Sequence, residues 1–192
     1  MRRGFATEAR NLALEVRGEM GLTPYMTLDP WALAQLYGIP VYPLDEMVAW
    51  GCRTVTADYF TQARPAFSAA LVPVGSGRVI VENSAQTQTR RRASISHEMA
   101  HVLLEHPFLS GFASLDSCQA AVREVEQEAD CLGGELLIPS RAALAAARDG
   151  ATDEQVARRY RVSVQFARMR MNRSGARKRA ANERDRRLRI GA

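Results

Sequence analysis

The stretch Ser94-Ile95-Ser96-His97-Glu98-Met99-Ala100-His101-Val102-Leu103-Leu104 decides how the rest of the chain is read. Ile95, Met99, Val102 and Leu103 recur at helical spacing, so this segment is expected to be a helix with one face in a core. The other face carries His97 and His101. Side chains four apart on a helix lie about 40° apart around the axis and roughly 6 Å along it. Both imidazoles can then reach one metal ion. Glu98 flanks the same point, where a carboxylate can take a proton from a water. His-Glu-x-x-His on a helix is the spacing of a zinc peptidase site.

Two histidines leave the site incomplete, because catalytic zinc takes three protein ligands and keeps one position open. The HExxHxxGxxH continuation is excluded: Leu104 stands at its glycine and Pro107 at its third histidine. His106, read as lying on the same helix, is turned about 140° from His101 and is expected to be a helix-end residue. The third ligand is therefore sought on the next helix, expected over Cys118 to Leu137. Its acids are Glu124, Glu126, Glu128 and Glu135. The apolar stripe runs through Val122, Val125, Ala129, Leu132 and Leu136. Glu126 lies beside that stripe, and the other three fall on the polar side. Glu126 is the expected ligand, with Glu128 as the fallback. Asp130, one turn further, can accept a hydrogen bond from the outer nitrogen of a ligating histidine.

The rest of the chain reads as α+β. Ala6 to Met20 is amphipathic and stops at Gly21. Asp29-Pro30 starts a short helix, with Asp29 at the N-cap. Ile39 to Pro43 is extended and, with its prolines, reads as an edge strand. Residues 53–60 have weak strand character. Phe67 to Val72 and Arg78 to Val81 form two strands joined by a hairpin-type turn. A small antiparallel sheet is thus expected to pack on the His97 helix and on the second ligand helix. Ser140 is expected to cap a helix to Arg148. Two short helices follow, between Asp153 and Asn172. The expected division is an N-terminal helix (1–27), a metallopeptidase domain (28–150), a helix-turn-helix-like pair packed on it (151–173) and a basic, disordered tail (174–192).

At 46% hydrophobic residues the chain can bury a core. No run of about 18 apolar residues exists, so no membrane span is expected. The basic N-terminus is not followed by an apolar segment, which leads to the expectation of a cytoplasmic protein. The tail holds seven basic residues against Glu183 and Asp185, which accounts for the whole net charge of +5. Cys52, Cys118 and Cys131 lack C-x-x-C spacing and read as free thiols rather than a metal set.

With these pieces assembled, the chain resembles the ImmA/IrrE-type zinc metallopeptidases. The resemblance rests on Arg92 to Leu104, Val125 to Asp130, Glu135 to Pro139, the strand Val79 to Asn83 and the helical pair Asp153 to Asn172. Ser96 and Ala100 are mild departures at two small-residue positions. The resemblance implies zinc bound by His97, His101 and Glu126, with Glu98 as general base and Asp130 orienting a ligating histidine. It also implies a protein substrate, often a helix-turn-helix repressor of a mobile element or stress response, whose cleavage lifts repression.

Tyr59 and Arg53 are candidate oxyanion donors, and the strand Val79 to Val81 could pair with an extended substrate. An alternative is a zinc-loaded regulator that binds DNA or a repressor without cutting. Asp153 to Arg168 has helix-turn-helix spacing and carries Arg161 and Arg168, with Arg170 and Arg173 just beyond. Together with the basic tail, it could bind phosphates nonspecifically.

Overall fold

A computed structural model describes residues 1–51, 67–107 and 116–190. Eight α-helices and one three-stranded sheet make up these residues. The fold is α+β, as its sequence implies. Helix α1 (Phe5–Glu19) and α2 (Pro30–Leu36) precede β1 (Val41–Pro43). Asp29 caps α2, accepting from the Trp31 N–H at 3.1 Å. A 3-10 helix over Glu46–Trp50 leads out of β1. Then come β2 (Ala69–Val74), β3 (Gly77–Glu82) and α3 (Gln88–Leu103), capped by Thr87. The long helix α4 (Asp116–Leu137) is followed by α5 (Ser140–Arg148), α6 (Asp153–Tyr160), α7 (Val164–Arg173) and α8 (Ala176–Ile190). A Thr152 capping box starts α6, and Ser163 caps α7. The weak strand expected over 53–60 lies outside the described residues.

The sheet order is β1-β3-β2, and β1 runs parallel to β3. This corrects the expected all-antiparallel sheet. The hairpin rule covers only the consecutive pair β2–β3, which is antiparallel with Val74 opposite Gly77. β1 meets β3 across a long stretch of sequence, and no local turn signal records that pairing. Along β3 the faces alternate. Ile80 is buried in the main core, and Val81 packs with Leu44, Met47, Val48 and Val72 on the other side.

The main core joins α3 and α4 through Ile95, Met99, Ala100, Ala129, Leu132 and Leu136, all fully buried. The two helices approach closely at Gly133. A Cβ there would stand 3.1 Å from the Ser96 carbonyl oxygen and 3.3 Å from the His97 Cα, both backbone atoms. Ser96 completes the contact, its Oγ donating to the Gly133 carbonyl at 3.0 Å. Gly133→Ala is therefore expected to force α3 and α4 apart at the histidine turn. The cost should be about 1–3 kcal/mol, read in a urea melt.

Three further expectations need correction. The acids assigned to the polar side of α4 are not all exposed: Glu128 and Glu135 are buried. α4 packs on α1 as well as on α3, so its second flank is covered and its charges are paired. Glu128 meets Arg2, and Glu135 meets Arg170 at 2.9 Å. Second, Ser140 is the first residue of α5 rather than its cap. Pro139 holds the N-cap position, and the Ser140 N–H and hydroxyl both donate to Glu135. Third, the tail expected to be disordered forms α8. Ala176 and Ala180, one turn apart, are buried, and Arg148 of α5 forks onto Glu183 at 2.8 and 2.9 Å. Counting charge alone missed that small-residue stripe.

Candidate metal centre

The i,i+4 geometry of α3 sets His97 and His101 side by side over the cleft between β2 and α4. Their Nε2 atoms are 3.1 Å apart. Glu126 reaches them from α4, with Oε2 at 3.1 Å from His97 Nε2 and Oε1 at 3.5 Å from His101 Nε2. One ligand atom from each of the three residues lies within 4.8 Å of the others. Ligands at the usual 2.0–2.1 Å from a tetrahedral zinc are about 3.3 Å from one another. The separations are close to those edges, with a different Glu126 oxygen nearest each histidine, and two imidazoles with a carboxylate are a zinc-type donor set. Glu126 is half exposed on the cleft wall.

Asp130 stands one turn along α4, its Oδ1 at 3.2 Å from His97 Nδ1. Accepting the Nδ1 proton leaves the His97 Nε2 lone pair facing His101 and Glu126. Burial alone would lower the His97 pKa, but Asp130, Glu98 and Glu126 outweigh it and raise it. The Asp130 pKa is lowered, chiefly by that hydrogen bond. His101 is lowered to about 4, first by burial and then by repulsion from His97 and His106, so it is neutral around neutral pH.

Glu98 projects to the opposite side of the cleft. Its Oε2 accepts the Leu71 backbone N–H at 3.0 Å. Burial pushes its pKa up, and attraction to His97 only partly offsets this. The register explains the Leu71 contact. Asn83 donates to the Ser68 carbonyl across the hairpin at 2.9 Å, so residues 68, 70 and 72 bond to β3. Ala69 and Leu71 therefore turn their backbone groups outward. That reverses one expectation. β3 is paired on both sides and has no free edge for a substrate, whereas among the described residues β2 pairs on one side only, and it lines the cleft.

The cleft has a volume of about 310 Å³; Leu71, Glu98, Val122, Val125 and Pro107 are among its walls, with the two histidines and Glu126. Arg53 and Tyr59 lie outside the described residues. Two features were missed from the sequence: the Leu71 N–H, which only strand register reveals, and His106. That histidine is not a bystander at the helix end. Its ring lies against His101, Nδ1 to Nδ1 at 3.0 Å. The only sequence signal was its rarity, since the chain holds three histidines and all fall within ten residues.

Of the arginines read as a phosphate-binding face, Arg170 is buried against Glu135 and the Ile138 carbonyl. Arg168 is tied to Asp153 at 3.0 Å. Among the described residues no helix is long and apolar enough to cross a membrane.

Searches of curated proteins and of solved structures gave no match. The model of the IrrE N-terminal-like domain matches residues 51–172, a span that contains β2, β3, α3, α4 and every residue of the candidate centre. A His-Glu-x-x-His helix, a carboxylate helix packed on it and this match converge: the chain belongs to the Peptidase M78 family and is a metallopeptidase-type hydrolase.

Proposed function

We propose that the chain is a zinc-dependent endopeptidase in which His97, His101 and Glu126 hold the metal, Glu98 is the general base and Asp130 orients His97. The observation that carries this is the convergence of two Nε2 atoms and the Glu126 carboxylate, whose two oxygens lie 3.1 and 3.5 Å from His97 and His101. Bound zinc would supply Lewis-acid polarisation of the scissile carbonyl and acidify a water. The chain supplies the rest. Glu98 takes the proton of the attacking water and passes it to the leaving amine. Leu71 holds one Glu98 oxygen, so the other is directed to the cleft. An extended substrate segment can pair with the Ala69 N–H and carbonyl and with the Leu71 carbonyl, which reads its main chain first, the Leu71 N–H being held by Glu98. Val122 and Val125 give one wall of the cleft an apolar surface for a side chain.

Leu71→Pro tests the role of the strand. Position 71 faces away from β3, and Pro73 already occupies an equivalent outward position two residues on. The variant should keep the sheet and its zinc but lose the donor that orients Glu98. A charge-assisted hydrogen bond is worth about 1.5–3 kcal/mol, or roughly 10–100-fold in kcat/KM. Unchanged turnover on a peptide substrate would remove Leu71 from the mechanism.

As substrate we propose a helix-turn-helix transcriptional repressor whose cleavage relieves repression, a reading supported by the resemblance to ImmA/IrrE-type enzymes. Co-expression with the transcription regulator encoded beside the gene, followed by mass spectrometry, tests it. Fragments formed with the wild type and missing with Glu98→Gln are expected. An intact regulator in both would exclude that protein as the target.

A further inference from the structure

His106 is placed by an unusual helix end. α3 stops at Leu103, and Glu105 takes a left-handed backbone, φ 52°. That conformation costs a non-glycine residue roughly 1–2 kcal/mol. The turn closes with the Glu105 N–H on the Val102 carbonyl at 3.1 Å and the His106 N–H on the His101 carbonyl at 3.0 Å. This is the double bond of a Schellman motif with glutamate where glycine is usual. Its effect is to fold His106 back beneath His101, where it is 8% exposed.

Both nitrogens of His106 face a polar neighbour. Nδ1 faces His101 Nδ1 at 3.0 Å, and Nε2 faces the buried Glu128 Oε2 at 3.7 Å. Glu128 is fixed in turn by Arg2, whose Nε donates to Oε1 at 2.9 Å and whose backbone N–H donates to the same oxygen at 3.3 Å. A contact between two Nδ1 atoms holds only one proton, so one ring donates and the other accepts. The carboxylate beside Nε2 favours the proton there, which leaves His106 Nδ1 as the acceptor. His101 then carries its proton on Nδ1, and its Nε2 lone pair faces His97 and Glu126. The opposite arrangement would point an N–H into the ligand triangle.

We propose that Glu128 and His106 are positioning residues that fix the ligating tautomer of His101, a two-step counterpart of the single Asp130 contact on His97. The inference rests on the metal-site reading above. His106 is neither a further ligand nor a proton donor to substrate. Its ring lines the cleft wall, but its Nδ1 is turned to His101 Nδ1 and its Nε2 to Glu128, away from the ligand triangle.

The test uses the full-length chain with His106→Leu and His106→Asn. Asn Oδ1 can stand where Nδ1 accepts, whereas leucine fills the space without an acceptor. Zinc affinity is measured by competition with a chelator. His106→Leu should bind zinc about 10–100-fold more weakly, and His106→Asn should recover most of the loss. Nitrogen NMR of the metal-free chain reads the tautomer directly. His101 should be the Nδ1–H form in the wild type and in His106→Asn, and should move toward Nε2–H in His106→Leu.

Equal zinc affinity and unchanged His101 signals in His106→Leu would overturn the relay, as would an asparagine variant as weak as the leucine one. A wild type that binds no zinc would instead sink the metal-site reading. The tautomer measurement needs no metal, so the two failures are told apart.

Discussion

Glu98→Gln is expected to lose peptide-bond hydrolysis while keeping its zinc. Glutamine preserves the shape of the side chain, and its amide oxygen can still accept the Leu71 N–H. It cannot take a proton from water at neutral pH. General-base catalysis contributes about 10²–10⁴-fold, so kcat on a peptide substrate should fall by at least that range. Glu98 is not among the three residues whose ligand atoms converge, so the zinc content per chain should equal that of the wild type. Turnover and metal content measured on the same preparation check both halves. A fully active Glu98→Gln would remove Glu98 as the base. An inactive variant that has also lost zinc would mean that the carboxylate helps to hold the metal.

Glu126→Ala should have the opposite signature. Removing it leaves two imidazoles, and the zinc affinity should fall by more than the ~10–100-fold typical of losing a supporting hydrogen-bond partner. The fold should be indifferent. The Glu126 side chain is 52% exposed, and among the described residues its ion-pair contacts are to the two histidines. Substitutions at such positions usually change stability by no more than about 0.5 kcal/mol. Chelator competition and a urea melt of the metal-free protein separate the two effects. The comparison also decides between Glu126 and the fallback read from the sequence. Glu128→Ala should disturb stability, because it leaves Arg2 and His106 without their buried partner, and should weaken zinc only through His101. Zinc affinity unchanged in Glu126→Ala but abolished in Glu128→Ala would reverse the assignment.

Much of the centre could be read from the sequence because it depends on helical geometry. Spacing along one helix fixes the mutual placement of His97 and His101, and the periodicity of the next singles out Glu126 and Asp130 beside its apolar stripe. The cap at Asp29 was legible for the same local reason. Long-range pairing was not. That β1 lies parallel to β3, and that among the described residues β2 rather than β3 has an unpaired edge, depends on contacts between distant segments. Glu128 and Glu135 read as exposed because one apolar stripe was taken as the only buried face of α4, yet α1 covers its second flank. His106 is a helix-end residue, as read, but its direction was missed because the helix was extended to Pro107. It ends at Leu103, and the left-handed Glu105, a position without the usual glycine, turns the histidine back.

The most direct test of the metal centre is anomalous diffraction at the zinc edge from crystals of the full chain. The account predicts one peak within bonding distance of His97 Nε2, His101 Nε2 and the Glu126 carboxylate, with Asp130 behind His97 and His106 behind His101. A peak coordinated by His106 or Glu128, or no peak at the histidine pair in a zinc-loaded crystal, would contradict it.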